Sequence, residues 1–181
     1  MKKVALHNLG CKVNAYETEA MQELLEKHGY EIVPFQEGAD VYIINTCTVT
    51  NMADRKSRQM LHRARKKNAD ALVVAVGCYV QTTPKEVLND LSVDIVVGNN
   101  RKKEIATILE DAIAKRNPSG EACHWLDINR KAEYESLTIS HMTEHTRAYI
   151  KIQDGCNQFC TYCIIPFARG RVRSRKIEDI I

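Results

Sequence analysis

The sequence predicts an α/β fold in which an open, mostly parallel sheet is flanked by helices. Over the first hundred or so residues, short apolar runs rich in valine and isoleucine alternate with stretches of helical periodicity. Such alternation is typical of parallel strands joined by helices that cover both faces of a sheet. After residue 118 the periodicity is lost, and a new alternating run leads into a cysteine-rich loop. This order predicts one α/β domain followed by the start of a second.

Five strands and three helices are predicted in the first domain. The strands are the apolar runs at residues 4–9, 31–33, 41–45, 71–76 and 93–97. One helix is predicted to begin with Asn14 and Glu17 as a capping pair. The next begins at Thr83, followed by a first-turn proline, Pro84. A third helix carries an apolar stripe over residues 105–113 and ends before the turn at residues 117–120.

The chain is predicted to divide into three parts. Residues 1–118 form the N-terminal α/β domain, and residues 119–145 form a linker with one short strand near residues 137–141. Residues 146–181 begin the second domain, opening with a strand over residues 147–153. In that strand Ala148, Ile150 and Ile152 share one side.

Composition limits where the protein works and what it binds. The chain has 181 residues, of which 44% are hydrophobic, enough for one good core. It shows no signal peptide and no apolar run that could span a membrane, so we expect a cytoplasmic protein with no membrane partner. Seven cysteines in that setting indicate metal or redox chemistry.

Positive charge is concentrated in two segments. Residues 55–67 contain seven Lys or Arg and no acidic residue, and residues 164–181 contain five basic residues against two acidic ones. Basic stripes of this kind are usually solvated surfaces, but they also suit a polyanion such as RNA.

The most specific motif is the loop containing Cys156, Cys160 and Cys163, spaced Cys-x3-Cys-x2-Cys. Three thiolates in one loop can bind three irons of a cubane cluster and leave the fourth iron open to a substrate. Zinc prefers a fourth protein ligand, and the nearest histidine, His145, lies beyond the predicted strand. We predict an iron–sulfur centre, with a structural zinc loop or disulfides as alternatives.

A second set of cysteines, Cys11, Cys47 and Cys78, follows the ends of three predicted strands. The carboxyl ends of parallel strands meet at one edge of a sheet, where ligands bind. A cysteine by itself is most often a small buried hydrophobe, but three in the same topological place predict a shared metal site. Cys123 fits neither set, and we interpret it as a free thiol in the linker.

Two sets of three cysteines, one dispersed over an α/β domain and one in a Cys-x3-Cys-x2-Cys loop, resemble the methylthiotransferases of the radical S-adenosylmethionine superfamily. Tyr162, directly before the third cysteine of the loop, matches the aromatic residue usual there. Residues 8–17 and 166–175 are most similar to the branch that acts on threonylcarbamoyl-adenosine in tRNA. That branch converts threonylcarbamoyl-adenosine, immediately 3′ of the anticodon, to its 2-methylthio form.

The resemblance implies two [4Fe-4S] clusters and S-adenosylmethionine as cofactors. Cys156, Cys160 and Cys163 would bind the cluster that takes S-adenosylmethionine, with Tyr162 against that cofactor. Cleavage of its sulfonium yields a 5′-deoxyadenosyl radical and needs an electron donor such as flavodoxin or ferredoxin. Cys11, Cys47 and Cys78 would bind a second cluster, the source or carrier of sulfur, whose own donor is not implied. No catalytic residue beyond the cluster ligands is implied.

The resemblance also gives a role to the last basic segment. Its arginines would contact tRNA phosphates or position the cluster loop, unless they form only a solvated turn. They are Arg169, Arg171, Arg173 and Arg175. Full-length relatives continue through a (β/α) barrel and a β-rich RNA-binding domain. The resemblance therefore implies an N-terminal portion ending in a truncated barrel, which we do not expect to turn over by itself.

Three other functions are compatible with the same residues. One is a methylthiotransferase that acts on isopentenyl-adenosine in tRNA or on a ribosomal protein. The second is a non-catalytic iron–sulfur protein that transfers electrons or senses oxygen or iron. The third is a zinc-stabilised module that binds nucleic acid.

Overall fold

A parallel sheet of six strands forms the centre of the chain, in the order β2-β1-β3-β4-β5-β6. The computed structural model describes residues 2–115, 123–129, 133–140 and 149–181. The strands are β1 (Lys3–Asn8), β2 (Glu31–Ile32), β3 (Val41–Thr46), β4 (Leu72–Gly77), β5 (Ile95–Val97) and β6 (Cys123–His124). Every neighbouring pair is parallel. The predicted open parallel sheet is confirmed.

Helices cover both faces of this sheet. They are α1 (Lys12–Lys27), α2 (Asn51–Lys67), α3 (Cys78–Thr82), α4 (Pro84–Leu88) and α5 (Ile105–Lys115). On one face Met21 and Leu25 of α1 pack with Leu109 of α5 in a single apolar cluster. On the other face Leu61 of α2 and Val87 of α4 belong to a second cluster. The central strands are apolar on both sides because both sides are covered.

The predicted start of the first helix is wrong. Helix α1 begins at Lys12, with Cys11 as its N-cap and no side-chain cap. Asn14 and Glu17 do not form a capping pair; both are buried within the helix, where they contact other parts of the chain. Helix α2, capped by the Thr50 hydroxyl, was not predicted, since its basic surface hides the apolar stripe.

The described part of the predicted linker contributes to the sheet. Cys123 lies in β6, which pairs in parallel with β5, so this thiol is at a sheet edge. No strand forms over residues 137–140, and residue 141 lies outside the described ranges. Instead Leu137 is buried, and its carbonyl accepts a hydrogen bond from the Tyr16 hydroxyl at 2.9 Å. The segment packs against α1 without joining the sheet.

The last described segment forms a small hairpin and one short helix. Strand β7 (Gln153–Asp154) pairs antiparallel with β8 (Arg173–Ser174), and α6 (Ile165–Arg169) lies between them. Helix α6 packs on α3. The Asn99 amide donates to the Ala168 carbonyl at 2.7 Å. The cysteine-rich loop is therefore fastened to the edge of the sheet where the strands end.

The predicted strand over residues 147–153 is replaced by a two-residue strand. Residues 147 and 148 lie outside the described ranges, and residues 149–152 form no strand. Ile150 and Ile152 are both exposed, whereas Lys151 between them is buried. The reason is electrostatic, since the Lys151 ammonium lies 2.6 Å from Glu17 and 2.8 Å from Asp154.

None of the helices in the described ranges is long and apolar enough to cross a membrane.

Candidate metal centres

The first cysteine set lies at the carboxyl-terminal edge of the sheet, as predicted. Cys11 follows β1 and caps α1, Cys47 follows β3, and Cys78 is the first residue of α3. Cys11 is exposed, whereas Cys47 and Cys78 are each 4% exposed. The neighbouring strands β1, β3 and β4 therefore each place one thiol at the same edge of the sheet.

Asn14 joins two of the loops that carry these thiols. Its amide nitrogen donates to the Leu9 carbonyl at 2.8 Å, before Cys11, and to the Thr46 carbonyl at 2.9 Å, before Cys47. The Asn45 amide in turn donates to the Asn14 carbonyl at 3.0 Å. Because these polar groups are buried, their mutual satisfaction fixes the relative position of the two loops.

Two glycines permit the close approach of these loops. Gly10 has φ = +103°, and a Cβ added there would lie 2.7 Å from the Cys47 sulfur. Gly77 has φ = +100°, and a Cβ there would lie 2.5 Å from the Asn45 side-chain oxygen. Both positions therefore exclude side chains for conformational and steric reasons. The space kept free adjoins the Cys47 sulfur.

The pKa of the Cys47 thiol depends on its burial and on the other two thiols of its set. Burial raises the pKa of the Cys47 thiol, and the charges of Cys78 and Cys11 raise that pKa further. The other two thiols are thus within electrostatic reach of Cys47. The Asn99 amide lies 3.5 Å from the Cys78 sulfur, where it can donate a hydrogen bond.

Replacing Gly10 by alanine is expected to reduce metal binding by the first set more than it affects the fold. The new methyl group would meet the Cys47 sulfur at 2.7 Å, and the positive φ disfavours any side chain. Iron and sulfide analysis after anaerobic reconstitution should show iron lost from this set and retained by the loop of Cys156. Gly38→Ala is a matched control, since Gly38 also has a positive φ but has no atom within 4 Å of an added Cβ. Equal iron retention by both variants would contradict this expectation.

The second cysteine set lies in the loop between β7 and α6. Cys156 and Cys163 are half-buried and Cys160 is exposed. The Cys156 amide donates to the Gly170 carbonyl at 3.0 Å, and the Cys163 amide donates to the Cys160 carbonyl at 2.9 Å. Within the loop Phe159 adopts φ = +49°, and its ring packs edge-on against Phe167. The loop keeps its three thiols at or near the surface.

A cluster of five charged side chains lies between the two cysteine sets. This buried ion-pair cluster comprises Glu17, Lys102, Lys151, Asp154 and Arg169. Arg169 donates to Glu17 at 2.8 Å, to Asp154 at 3.0 Å and to the Asn14 side-chain oxygen at 2.7 Å. Lys102 also binds Glu17. The cluster ties α1 to both flanks of the second cysteine loop.

The charges in this cluster stabilise one another's ionised forms. Burial alone would raise the pKa of Glu17, but Lys102, Arg169 and Lys151 hold that pKa well below its ordinary value. Likewise, burial opposes the charge on Arg169, but Glu17 and the nearby Cys78 raise its pKa well above the usual value. Arg169 therefore stays cationic beside the first cysteine set.

The four arginines predicted to contact RNA are in different environments. Arg169 and Arg173 are 4% and 8% exposed, and Arg173 donates to the Arg169 carbonyl at 2.7 Å. Their burial favours the other predicted role for these two, that of positioning the cluster loop. Arg171 is exposed over the Phe159 ring and Arg175 is half-buried. For Arg171 and Arg175, RNA contact stays a prediction, as does cofactor contact for Tyr162, which is 89% exposed.

Both donor sets consist of thiols, which are the usual protein ligands of iron–sulfur clusters. No group of three His, Cys, Asp or Glu side chains within the described ranges is arranged to hold one metal ion. In a cubane cluster each thiolate binds a different iron, so the sulfurs need not converge on one point. All seven cysteines lie in the described ranges, and all are free thiols there. Each trio of thiols remains a candidate cluster site.

Several residues that shape the site were not identified from the sequence. They are Asn99, Lys102, Lys151, Asp154 and the pair Asn14 and Glu17 in their tertiary role. One signal was available: Asn14 and Glu17 lie on the face of α1 that also buries Met21 and Leu25. Polar residues in a buried stripe require partners, but the sequence does not identify those partners.

The chain is similar to a protein family and to named proteins of known sequence. The model of "Uncharacterized protein family UPF0004" matches residues 3–98. Threonylcarbamoyladenosine tRNA methylthiotransferase MtaB of Bacillus subtilis is 47% identical over 181 residues, which is 100% of this chain and 40% of that protein. The protein of the same name from Aquifex aeolicus is 43% identical, over 99% of this chain and 43% of that protein.

A solved structure shares the fold. The radical S-adenosylmethionine methyltransferase TsrM of Kitasatospora setae aligns with a TM-score of 0.63 at 16% identity, over 99% of this chain and 44% of that one. The present chain thus spans less than half the length of each of these proteins.

Proposed function

We propose that this chain, which belongs to the protein family UPF0004, is the N-terminal portion of a tRNA methylthiotransferase. The complete enzyme would use radical S-adenosylmethionine chemistry. The specific reaction we propose is conversion of threonylcarbamoyl-adenosine, next to the anticodon, to its 2-methylthio derivative. Relatives that bear this activity in their names match the chain over essentially its whole length. A tRNA substrate also implies that the protein works in the cytoplasm.

The observation that carries this proposal is the pairing of two cysteine trios across one buried ion-pair cluster. Cys11, Cys47 and Cys78 come from three loops at the sheet edge, and Cys156, Cys160 and Cys163 come from one loop fastened to that edge. Two three-thiolate sites would leave one open iron each, as required to bind a reactant at both. A zinc site or an electron carrier needs no such pair.

The proposed cofactors are two [4Fe-4S] clusters, one on each trio, and S-adenosylmethionine. Bound there, they would supply the radical and the sulfur that inserting a methylthio group into an unactivated C–H bond requires. The chain's own residues orient these sites. Asn14 fixes the loops of Cys11 and Cys47, and the Asn99 amide can donate to the Cys78 sulfur. Arg169 and Asp154 hold the base of the second loop against α1.

The proposed partners are the tRNA and an electron donor such as flavodoxin or ferredoxin. The sulfur donor follows from no residue described. Residues 149–181 expose several apolar side chains, which supports the proposal that other parts of the complete enzyme cover this segment. They include Ile150, Ile152, Phe167 and Ile177.

The test is mass spectrometry of tRNA nucleosides from cells that lack their own enzyme and express the complete protein containing this chain. We expect 2-methylthio-threonylcarbamoyl-adenosine with the wild-type protein and none with Cys156→Ala, since one ligand of the second trio is lost. Cys123→Ala is the matched control and should retain the product, because Cys123 lies in β6, outside both trios. Identical product levels with and without Cys156 would refute the proposal. A methylthio group on isopentenyl-adenosine instead would correct its substrate.

A further inference from the structure

Helix α2 presents a continuous basic surface to solvent. Its exposed face lines a groove of about 510 Å³, and we call the residues of this groove the basic stripe. They are Arg55, Arg58, Gln59, His62, Arg63 and Lys66. Their spacing of three or four residues places them on one side of the helix. From Arg55 to Lys66 the stripe is about 16 Å long, at 1.5 Å per residue.

The charge of the stripe is poorly neutralised by the protein itself. His62 pairs with Asp90 at 2.8 Å, and Arg58 donates to the Tyr79 hydroxyl at 3.1 Å. Arg55, Arg63 and Lys66 have no ion-pair partner among the residues that the structure describes. Neighbouring like charges on one helix face repel one another, and an anionic ligand relieves that repulsion.

The helix that carries the stripe is attached to the first cysteine set through its other side. The Ser57 hydroxyl, on the opposite side of the same helix, donates to the Cys47 carbonyl at 3.0 Å and accepts from the Cys47 amide at 3.2 Å. The first turns of α2 are thereby fixed to the loop that carries Cys47. A ligand lying along the stripe would be led towards the edge of the sheet where the thiols lie.

We propose that the basic stripe binds the phosphate backbone of the RNA substrate and guides it to the cysteine-bearing edge. This proposal rests on the proposed function, in that it assumes an RNA substrate. RNA fits better than an acidic protein because every residue lining the groove is polar or charged. Protein interfaces carry an apolar core, whereas nucleic-acid interfaces are polar and strongly basic. Regularly spaced cations match the repeated charges of a phosphate backbone.

The first experiment measures RNA binding by the 181-residue chain as a function of salt. The probe is an anticodon stem–loop RNA that carries threonylcarbamoyl-adenosine, followed by fluorescence anisotropy between 50 and 200 mM KCl. The test variant combines Arg55→Gln, Arg63→Gln and Lys66→Gln. The matched control combines Lys2→Gln, Lys27→Gln and Lys103→Gln, which removes the same charge from exposed positions outside α2. Far-UV circular dichroism should be the same for both variants, because all six side chains are exposed.

We expect the test variant to bind the RNA about tenfold or more weakly at 50 mM KCl. The slope of log affinity against log salt should fall by about two to three, because three phosphate contacts are lost. The control should change that slope by less than about one. Equal weakening by both variants, or by neither, would overturn the proposal. Displacement of the RNA by polyglutamate at equal charge would also overturn it, in favour of an acidic protein partner.

A second experiment separates this proposal from the proposed function. In the complete protein, the test variant should raise the KM for tRNA about tenfold or more and leave RNA-independent cleavage of S-adenosylmethionine unchanged. A wild-type KM together with methylthiolated product would overturn the role of the stripe and leave the function intact. RNA binding that depends on the stripe, in a protein that forms no methylthiolated product, would support the stripe and refute the function.

Discussion

Replacing Glu17 by glutamine is expected to lower the free energy of unfolding of the chain by about 3–5 kcal/mol. The Glu17 carboxylate is 1% exposed and accepts hydrogen bonds from Lys151 at 2.6 Å and from Arg169 at 2.8 Å. Lys102 also binds it. Glutamine retains the shape of the side chain but not its charge, so three buried cations would be left with Asp154 as their main counter-charge. Such uncompensated buried charge is among the most destabilising changes in proteins.

This effect has a defined pH dependence. The folded chain holds the pKa of Glu17 well below its ordinary value, because the three cations outweigh the effect of burial. A lowered carboxyl pKa contributes stability above the ordinary pKa of the unfolded chain, about 4.3. That contribution is lost as the pH falls towards the folded value. The difference between wild type and Glu17→Gln should therefore be largest near neutral pH and shrink below about pH 4.

Urea denaturation at pH 7 and at about pH 3, followed by circular dichroism, measures both expectations. Glu110→Gln is the matched control, since Glu110 makes an exposed ion pair with His28 at 3.0 Å. Such surface pairs contribute about 0–1 kcal/mol, so this variant should stay close to wild type. A loss of less than about 1 kcal/mol for Glu17→Gln at pH 7 would show that the cluster is not a major source of stability.

The sheet was predictable because its signal is local. Strands buried on both faces need continuous apolar runs, and five of the six strands of the main sheet lie where such runs occur in the sequence. Strand β6 was missed because two residues, Cys123 and His124, carry no periodicity. It exists only because β5 offers a free edge with matching hydrogen bonds.

The position of the first cysteine set was predictable for a topological reason. Once the strands are parallel, the residues that follow them share one edge, whatever their separation in sequence. Cys11, Cys47 and Cys78 accordingly lie there. The role of each thiol as a cluster ligand stays a prediction, as does the division of the chain at residues 118 and 145.

The buried ion-pair cluster was not predictable, because its members are brought together only by the tertiary fold. Glu17 and Arg169 are separated by 152 positions in the chain. The residues around Glu17 indicated a helix cap, and those around Arg169 indicated a solvated basic turn. Each interpretation was consistent with the local sequence. A buried charge reveals its partner only when the packing is known, which is why the sequence left several roles open for Arg169.

This cluster also explains why the two cysteine sets form one functional unit in our proposal. Arg169 contacts α1, whose N-cap residue is Cys11, and its charge reaches Cys78. Asp154, two residues before Cys156, receives a hydrogen bond from the same guanidinium. Moving the second cysteine loop would therefore break the contact between Arg169 and α1, the helix that Cys11 caps. The second cysteine loop is held against α1 by buried ion pairs, which are costly to break.

The two centres should nevertheless be separable chemically. Replacing Cys47 by serine in the complete protein is expected to reduce bound iron, after anaerobic reconstitution, from about eight to about four atoms per chain. Methylthiolated tRNA nucleoside should fall below detection, since the sulfur-carrying centre is lost. Cleavage of S-adenosylmethionine should persist, because Cys156, Cys160 and Cys163 are unchanged. Serine keeps the size of the side chain, so the buried position of Cys47 is not emptied.

The control for this experiment is Cys123, because it is an exposed free thiol of β6. Cys123→Ser should retain about eight irons and full activity, as expected for a thiol outside both trios. If Cys47→Ser retained all its iron, or lost all of it together with cleavage of S-adenosylmethionine, the two trios would not be independent cluster sites. Loss of half the iron with cleavage intact is expected only if each trio binds its own cluster, because a single shared centre would be lost as a whole.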